Sequence, residues 1–411
     1  MRYLLILFLS LNYLFSIDAT LTIEKDVPNK ATIALVEDST TANSSRFHKK
    51  MFQLLKDDIK LSGHFQLNPK YHNIEFESLQ IPEDLSNTEY ILKYNFSPSA
   101  TKLNIKLIRT SDNSIVFQKN YMVNTASRFP FLAHNGISDM NSALGYDDIS
   151  WIKRYLIFSK YTSPRKSEIW VADYTLTFAS VIVRGGLNLF PKWANETQSA
   201  FYYTSYNNKI PTLYRVDMIT GKRAKILESQ GILICSDVSQ DSKRLLLTMA
   251  PKGQPDIYEY NIDSKDLKQI TTFSGIDVNG KYIGDESKIV FVSDRTGKPN
   301  IYLKSIGSSS VSKVAVYGNE NNSCDAFREY IIYSAKDGNS INIYLGSIYS
   351  SYIRPLTDGG INRFPRFSTN GKIVLYIKQK GSKNSIGYLN LATKENRFYP
   401  MISGKIQSID W

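Results

Sequence analysis

The chain has 411 residues, 42% of them hydrophobic, which is enough to bury the cores of two domains. Aromatic residues make up 12%, led by 27 tyrosines, and this favours half-buried β-strands. The net charge is +12, but no long run of lysine or arginine occurs, so the composition argues against nucleic acid as a ligand and leaves a solvated basic surface or an acidic protein partner.

The first residues have the pattern of a secretory signal. Met1-Arg2 gives a positive start, positions 3–15 are apolar apart from Ser10 and Asn12, and the small residues Ser16 and Ala19 follow. The apolar run is too short to cross about 30 Å of hydrocarbon, and no second run follows. We therefore expect a signal peptide at 1–19, cleaved near 16–19, rather than a membrane span. The alternative is a buried N-terminal strand or helix.

Residues 20–146 are predicted to form a small α/β sandwich domain. Apolar residues at 47, 51, 54, 55 and 59 follow one face of a helix, which Ser62-Gly63 ends. Residues 137, 140 and 144 indicate a second helix. Strands are predicted at 31–36, 89–96, 102–109 and 115–123.

The rest of the chain, 147–411, repeats with a period of about 44 residues. The period is clearest in short strand segments whose third residues fall at 170, 214, 258, 302, 344 and 387. Each unit holds an opening segment, a hydrophobic strand, a polar turn, an Ile-Tyr-type strand, a second turn and a last short strand. Four short strands per unit are typical of a propeller blade. A β-sandwich of irregular repeats is the alternative.

The first unit lacks an opening strand, and the chain ends in 406–411, which resembles an opening segment with nothing after it. An unpaired blade edge would stay exposed. We therefore expect the terminal strand to complete the first blade. The predicted fold class is α+β: a small N-terminal α/β sandwich domain followed by a six-bladed β-propeller closed by the C-terminal strand.

Motifs for catalysis or metal binding are not found. The four histidines, at 48, 64, 72 and 134, are scattered outside the repeats, and surface positions are expected for them. Asp237, Asp277 and Asp325 recur near unit openings, where they could bind a cation, polarise a substrate, be solvated or pair with Arg363. No nucleophile elbow or phosphate loop occurs, and the length leaves no room for a hydrolase domain. We expect no enzyme activity, no cofactor and no metal.

The two cysteines, Cys235 and Cys324, are about two repeats apart, which places them on non-adjacent blades. Two free, buried thiols are therefore predicted rather than a disulfide.

A family resemblance rests on this architecture and on opening segments such as Phe190-Pro191-Lys192-Trp193 and Phe364-Pro365-Arg366-Phe367. Together with the signal peptide, the α/β domain, the segment 129–145 and the lone terminal strand, they resemble the TolB family of the Tol–Pal envelope system. The usual Trp-Ser-Pro-Asp-Gly turn is replaced here by Asn, Asp and Ser chemistry, as in Val238-Ser239-Gln240-Asp241.

The resemblance implies a periplasmic, monomeric adaptor. Its propeller would bind a Pal-like outer-membrane lipoprotein, and its N-terminal segment a TolA-like inner-membrane protein, in support of outer-membrane integrity and cell division. The N-terminal segment is Thr20, Leu21, Thr22 and Ile23, whose alternation suits addition to a sheet edge; a frayed terminus or an internal edge strand is the alternative. The predicted rim residues are Ile232, Cys235, Asp237, Asp277, Val278, Asn279, Asp325, Asn362 and Arg363.

Two other functions remain open from the sequence. A periplasmic propeller enzyme would need clustered acids with shifted pKa values in a deep channel. A module that binds sugar or peptidoglycan would need exposed aromatic rings at the rim.

Overall fold

The structure is a computed structural model that describes residues 30–42, 46–315, 317–318, 320–381, 383–400 and 404–411. The predicted signal peptide and the segment from Thr20 to Ile23 lie outside these residues. In the part of the chain that is described, no helix is long and apolar enough to cross a membrane.

The N-terminal region is an α/β unit. Its elements are β1 (Ala31–Glu37), α1 (Arg46–Ser62), β2 (Phe65–Leu67), β3 (His72–Asn73), β4 (Tyr90–Phe96), β5 (Lys102–Arg109), β6 (Ser114–Met122) and α2 (Pro130–Ala143). The sheet order is β2-β1-β4-β5-β6, with β3 also paired to β1. Strand β1 pairs in parallel with β2 and β4, whereas β5 pairs antiparallel with both β4 and β6. Both predicted helices and the four predicted strands are confirmed; β2 and β3 are too short to show a periodic pattern.

Helix α1 packs its predicted apolar face on this sheet. Met51, Leu55 and Ile59 are fully buried and lie in one core with Ile33 of β1. Gly63, at φ +79°, ends the helix, because glycine adopts a left-handed conformation without steric cost.

The remaining strands form the propeller. They are β7 (Leu156–Ser163), β8 (Lys166–Ala172), β9 (Ala179–Val183), β10 (Asn188–Trp193), β11 (Ala200–Ser205), β12 (Thr212–Asp217), β13 (Arg223–Glu228), β14 (Leu233–Val238), β15 (Arg244–Met249), β16 (Asp256–Asn261), β17 (Leu267–Gln269), β18 (Asp277–Ile283), β19 (Lys288–Ser293), β20 (Asn300–Ser305), β21 (Val311–Lys313), β22 (Asn321–Phe327), β23 (Tyr330–Asp337), β24 (Ser340–Ser347), β25 (Ser350–Pro355), β26 (Ile361–Phe367), β27 (Ile373–Lys380), β28 (Lys383–Asn390), β29 (Asn396–Pro400) and β30 (Ile406–Asp410).

These strands pair in antiparallel groups of four. Sheet I has the order β30-β7-β8-β9, sheet II is β10–β13, sheet III is β14–β17 and sheet IV is β18–β21. Sheets V (β22–β25) and VI (β26–β29) are joined by a single parallel pair, Ile341 with Ile361. Each unit therefore contains the four antiparallel strands that the repeat predicts.

Apolar cores lie between neighbouring sheets. Sheets I and II, II and III, III and IV, IV and V, and V and VI each share a buried cluster. Sheets VI and I share the largest one, which also includes the N-terminal domain. Both faces of a central strand are buried, and this explains the nearly continuous apolar runs, such as Ile289, Val290 and Phe291 of β19.

The C-terminal strand β30 joins the chain's end to the first sheet. It runs antiparallel to β7, with Ile409 opposite Phe158. The last residue, Trp411, donates its indole N–H to the carbonyl oxygen of Phe367 on sheet VI at 2.7 Å. Its ring also packs against Trp151 and Tyr388.

A buried polar cluster joins the two domains. His134 of α2 lies between Asp58 of α1, at 2.8 Å, and Asp173 of the propeller, at 3.3 Å, and all three residues are fully buried. The Tyr174 hydroxyl also donates to Asp58. The expected surface position is therefore wrong for His134, and also for His48, which is 1% exposed and bonded to Glu37.

Candidate functional site

Six strands line the centre of the propeller. They are β30, β10, β14, β18, β22 and β26, and each contacts the next around the centre. We call the mouth where these innermost strands begin the upper mouth, and the mouth where they end the lower mouth. The N-terminal domain packs at the lower mouth, where the guanidinium of Arg397 donates to the carbonyl oxygen of Lys60 in α1 at 3.2 Å.

One charged side chain from each innermost strand meets in the channel. In order around the centre they are Asp410, Lys192, Asp237, Lys281, Asp325 and Arg366. Acids come from sheets I, III and V, and bases from sheets II, IV and VI. We call this alternating set the charge ring. It carries as many acids as bases and so is electrically balanced.

Short ion-pair distances connect most of the charge ring. The Nζ atom of Lys192 lies 3.1 Å from Asp410 and 3.3 Å from Asp237. The Nζ atom of Lys281 lies 3.6 Å from Asp237 and 3.5 Å from Asp325. The sixth member, Arg366, is held less closely, with Nε 3.9 Å from Asp410.

Each acid also bonds the backbone of the next sheet. Asp410 accepts the amide N–H of Trp193 at 2.9 Å, and Asp237 that of Tyr282 at 3.0 Å. Asp325 accepts the amide N–H of Phe367 at 2.9 Å. Hydrogen bonds to a charged acceptor are stronger than neutral ones, so these contacts tie sheets I to II, III to IV, and V to VI.

The alternation also appears in the backbone. Phe190, Asn279 and Phe364 have φ values of 55°, 57° and 55°, each two residues before a base of the charge ring. Each lies inside a β-bulge of β10, β18 or β26. A bulge redirects the side chains that follow it. Sheets II, IV and VI thus share one way of aiming a base into the channel.

Burial and pairing together set the protonation of the charge ring. Burial alone would raise the pKa of Asp237, but Lys281, Lys192 and the Tyr282 amide outweigh it and hold that pKa below its usual value. Burial opposes the charge of Lys192, but Asp410 and Asp237 raise its pKa. For Lys281, burial and the nearby Lys192 lower the pKa despite its two acidic partners.

The predicted rim residues fall into three groups. Asp237 and Asp325 belong to the charge ring. Cys235, Asp277 and Asn362 are buried, at 3%, 0% and 0% exposure, so they shape the upper part of the channel rather than face solvent. Ile232, Val278 and Asn279 are half-buried, and Arg363 is exposed, near the start of their strands at the upper mouth.

The acids pair with bases that the sequence did not single out. Asp277 accepts two bonds from the Arg295 guanidinium, both at 3.0 Å, so Arg363 is not its partner here. Lys192, Lys281, Arg366 and Asp410 were not predicted as part of the site. Their signal was present, because the charge-ring positions follow one another by 45, 44, 44, 41 and 44 residues.

Both thiols are buried and unpaired, as predicted. Burial raises the pKa of Cys235 and of Cys324 to about 12, which keeps both protonated. Among the described residues, no group of three or more His, Cys, Asp or Glu side chains is arranged to hold a metal ion.

A separate cavity of about 620 Å³ lies between sheets V and VI at the lower mouth. Phe327, Tyr330, Tyr349 and Tyr352 contribute to its lining, and Tyr349 is 72% exposed. It lies outside the predicted rim.

The chain is thus a two-domain propeller protein. Its α/β domain precedes a propeller whose channel holds equal numbers of acids and bases. Residues 154–411 match the family described as the TolB beta propeller domain. Two similar proteins bear the name Tol-Pal system protein TolB. The one from Wolinella succinogenes is 40% identical over 100% of both chains, and the one from Campylobacter jejuni is 38% identical over 94% of both. The chain belongs to the TolB family.

A solved structure agrees with the fold. TolB from Acinetobacter baumannii superposes with a TM-score of 0.73 at 21% identity, covering 92% of this chain and 96% of that one.

Proposed function

We propose that this chain is a periplasmic, non-catalytic adaptor of the Tol–Pal system. The observation that carries the proposal is the 40% identity over the full length of both chains to a protein named for that system. The apolar start of the sequence, with small residues at 16 and 19, supports export.

The channel supports binding rather than catalysis. The acids that an enzyme would need free, Asp237, Asp325 and Asp410, are all engaged by bases and by backbone amides. Carboxylates that already accept ion pairs and amide hydrogen bonds have few lone pairs left for a substrate, which does not suit general acid–base catalysis.

In this proposal the six sheets are the blades of a closed propeller, with β30 as the strand that closes it. The domains are a signal peptide at 1–19, an α/β domain at 20–146 and the propeller at 147–411. Pairing of β30 with β7 and the shared core of sheets VI and I support closure.

The upper mouth is proposed to hold a Pal-like lipoprotein. It is the mouth opposite the one that the N-terminal domain contacts, and Ile232 and Arg363 present side chains there. The segment Thr20 to Ile23 is proposed to bind a TolA-like protein by strand addition. Joining an outer-membrane lipoprotein to an inner-membrane protein would support membrane integrity and envelope constriction during division.

The test is affinity capture from crosslinked envelopes of the native organism. We expect a peptidoglycan-associated lipoprotein and an inner-membrane Tol protein to be recovered with the wild-type chain. Recovery of neither protein would overturn the proposal.

Two variants separate the two binding sites. Ile232→Asp with Arg363→Asp should lose the lipoprotein and keep the inner-membrane protein, and deletion of residues 20–23 should do the reverse. The matched control is Ile219→Asp with Lys222→Asp, because both residues are exposed on a turn at the lower mouth. Equal effects of the control and the upper-mouth variant would place the lipoprotein site elsewhere.

A further inference from the structure

The upper mouth carries a second ring of charged side chains, in which bases predominate. The turn between the second and third strands of each sheet opens at this mouth, and in every sheet an exposed base lies in this turn or near the end of the strand that enters it. These residues, which we call the basic rim, are Arg165, Lys209, Lys252, Lys298, Lys336 and Lys380. Isolated surface lysines are ordinary, but one base on or beside the same turn of all six sheets places positive charge around the whole circumference.

The charge beneath the rim does not cancel it. The charge ring is balanced within itself, since its acids pair with its own bases. Asp277 binds Arg295, whereas Glu320 pairs with one base of the rim, Lys336, at 3.2 Å. The other five bases of the rim have no ion pair among the described residues. In and beside the turns at the upper mouth, bases therefore outnumber acids.

The lower mouth has a different balance of acidic and basic residues. Its turns place acids beside bases, as with Lys243 and Asp263 at 3.6 Å, or Asp241 and Lys243, which are two residues apart in sequence.

We propose that the basic rim recognises an acidic face on the protein bound at the upper mouth. This inference rests on the proposed function, and it adds the chemistry of that partner's contact surface. Complementary charges steer two proteins together and raise the association rate, with a strong dependence on salt. Only a roughly convex acidic surface meets all six turns at once.

The arrangement favours a protein over an anionic polymer. Proteins that hold single-stranded nucleic acid follow the backbone along a groove and stack bases on aromatic rings. The basic rim is instead circular, and its bases stand beside small residues such as Pro164, Gly253, Gly297 and Gly381.

The experiment measures binding of the soluble domain of the Pal-like lipoprotein from the same organism to the full-length mature chain. The rim variant combines Lys209→Glu, Lys298→Glu and Lys380→Glu, for which the structure shows no ion pair among the described residues. The matched control combines Lys222→Glu, Lys265→Glu and Lys268→Glu, which are exposed on sheets II and III towards the lower mouth and change the net charge equally. Melting curves are to be measured first, to check that both variants fold.

At 50 mM salt we expect the rim variant to associate about tenfold more slowly than wild type, and the control within about threefold. At 500 mM salt the wild-type rate should fall towards that of the rim variant, because screening removes the steering. Equal rates for rim variant and control, with the wild type still binding, would overturn the acidic-face inference and leave the adaptor role intact.

Two further outcomes also decide the inference. If the wild type does not bind the lipoprotein domain, both the proposed partner and the acidic-face inference fail. If the rim variant loses binding to purified peptidoglycan sacculi but binds the lipoprotein domain like wild type, the rim serves an anionic polymer, and the inference is overturned.

Discussion

His134 of the N-terminal domain lies 3.3 Å from Asp173 of the propeller, and neither side chain is exposed. A second carboxylate, Asp58, lies on the other side of the imidazole at 2.8 Å. Burial alone would lower the pKa of His134, but Asp58 and Asp173 raise it to about 9. The joint between the domains is thus a buried imidazolium held by acids from both.

The first prediction concerns pH. Because the folded pKa of about 9 exceeds the unfolded value of 6.5, protonation of His134 stabilises the fold by about 3 kcal/mol below pH 6.5. This contribution is lost as pH rises from 6.5 through 9. We expect the Tm difference between wild type and His134→Gln to shrink over that range. His64→Gln, at a half-buried site outside the cluster, is the control, and a difference that does not change with pH would contradict the prediction.

The second prediction concerns the terminal strand. Deletion of residues 406–411 removes the partner of β7 and the contacts of Trp411 with Trp151 and Tyr388. Losing a large buried aromatic side chain alone costs about 3–5 kcal/mol. We expect the Tm to fall by about 10 °C or more. An unchanged melting curve would show that β30 does not close the propeller.

The third prediction concerns the charge ring. Lys281→Met removes a base that is 1% exposed and leaves Asp325 without its ion-pair partner. Breaking a buried pair in this way costs about 3–5 kcal/mol. The double variant with Asp325→Asn should be less destabilised than the sum of the two single variants, as measured by urea unfolding. Additive effects would mean that the two side chains are not coupled.

The fourth prediction concerns low pH, which should weaken the ion pairs of the charge ring. The pKa of Asp237 lies below its unfolded value, so its contribution is present above about pH 4 and is lost as pH falls through the folded pKa. Asp237→Asn should therefore narrow the drop in Tm between pH 5 and pH 3. If Asp237→Asn loses as much Tm between pH 5 and pH 3 as the wild type does, Asp237 does not contribute to the acid response.

The fifth prediction concerns the thiols. Cys235 and Cys324 are buried, and their pKa values are raised to about 12. Because the thiolate is the reactive form, neither should react with a disulfide reagent at pH 8 in the folded protein. Both should react in denaturant. Rapid labelling of the folded chain would contradict their burial.

The repeat could be recognised from the sequence because strand patterns and turn residues recur about every 44 residues. This period does not depend on which side chains point into the channel. The charge ring could not be recognised in the same way, because the side chain at this position alternates between acidic and basic from one unit to the next. Three of its six members are bases, and of the three recurring acids in the sequence, Asp237, Asp277 and Asp325, only Asp237 and Asp325 belong to the charge ring.

His134 shows a second limit. Its partners Asp58 and Asp173 lie 76 and 39 residues away along the chain. No local pattern connects them, so the three residues meet only when the domains dock. The helix of 130–143, in contrast, was indicated by its own apolar spacing.

The most direct test of the proposed binding site is hydrogen–deuterium exchange of the full mature chain with and without the soluble lipoprotein domain. We expect slower exchange at the upper mouth, in 232–237, 277–279 and 361–363, and no change in lower-mouth turns such as 218–222. Slower exchange confined to the lower mouth would contradict the assignment of the upper mouth as the partner-binding site.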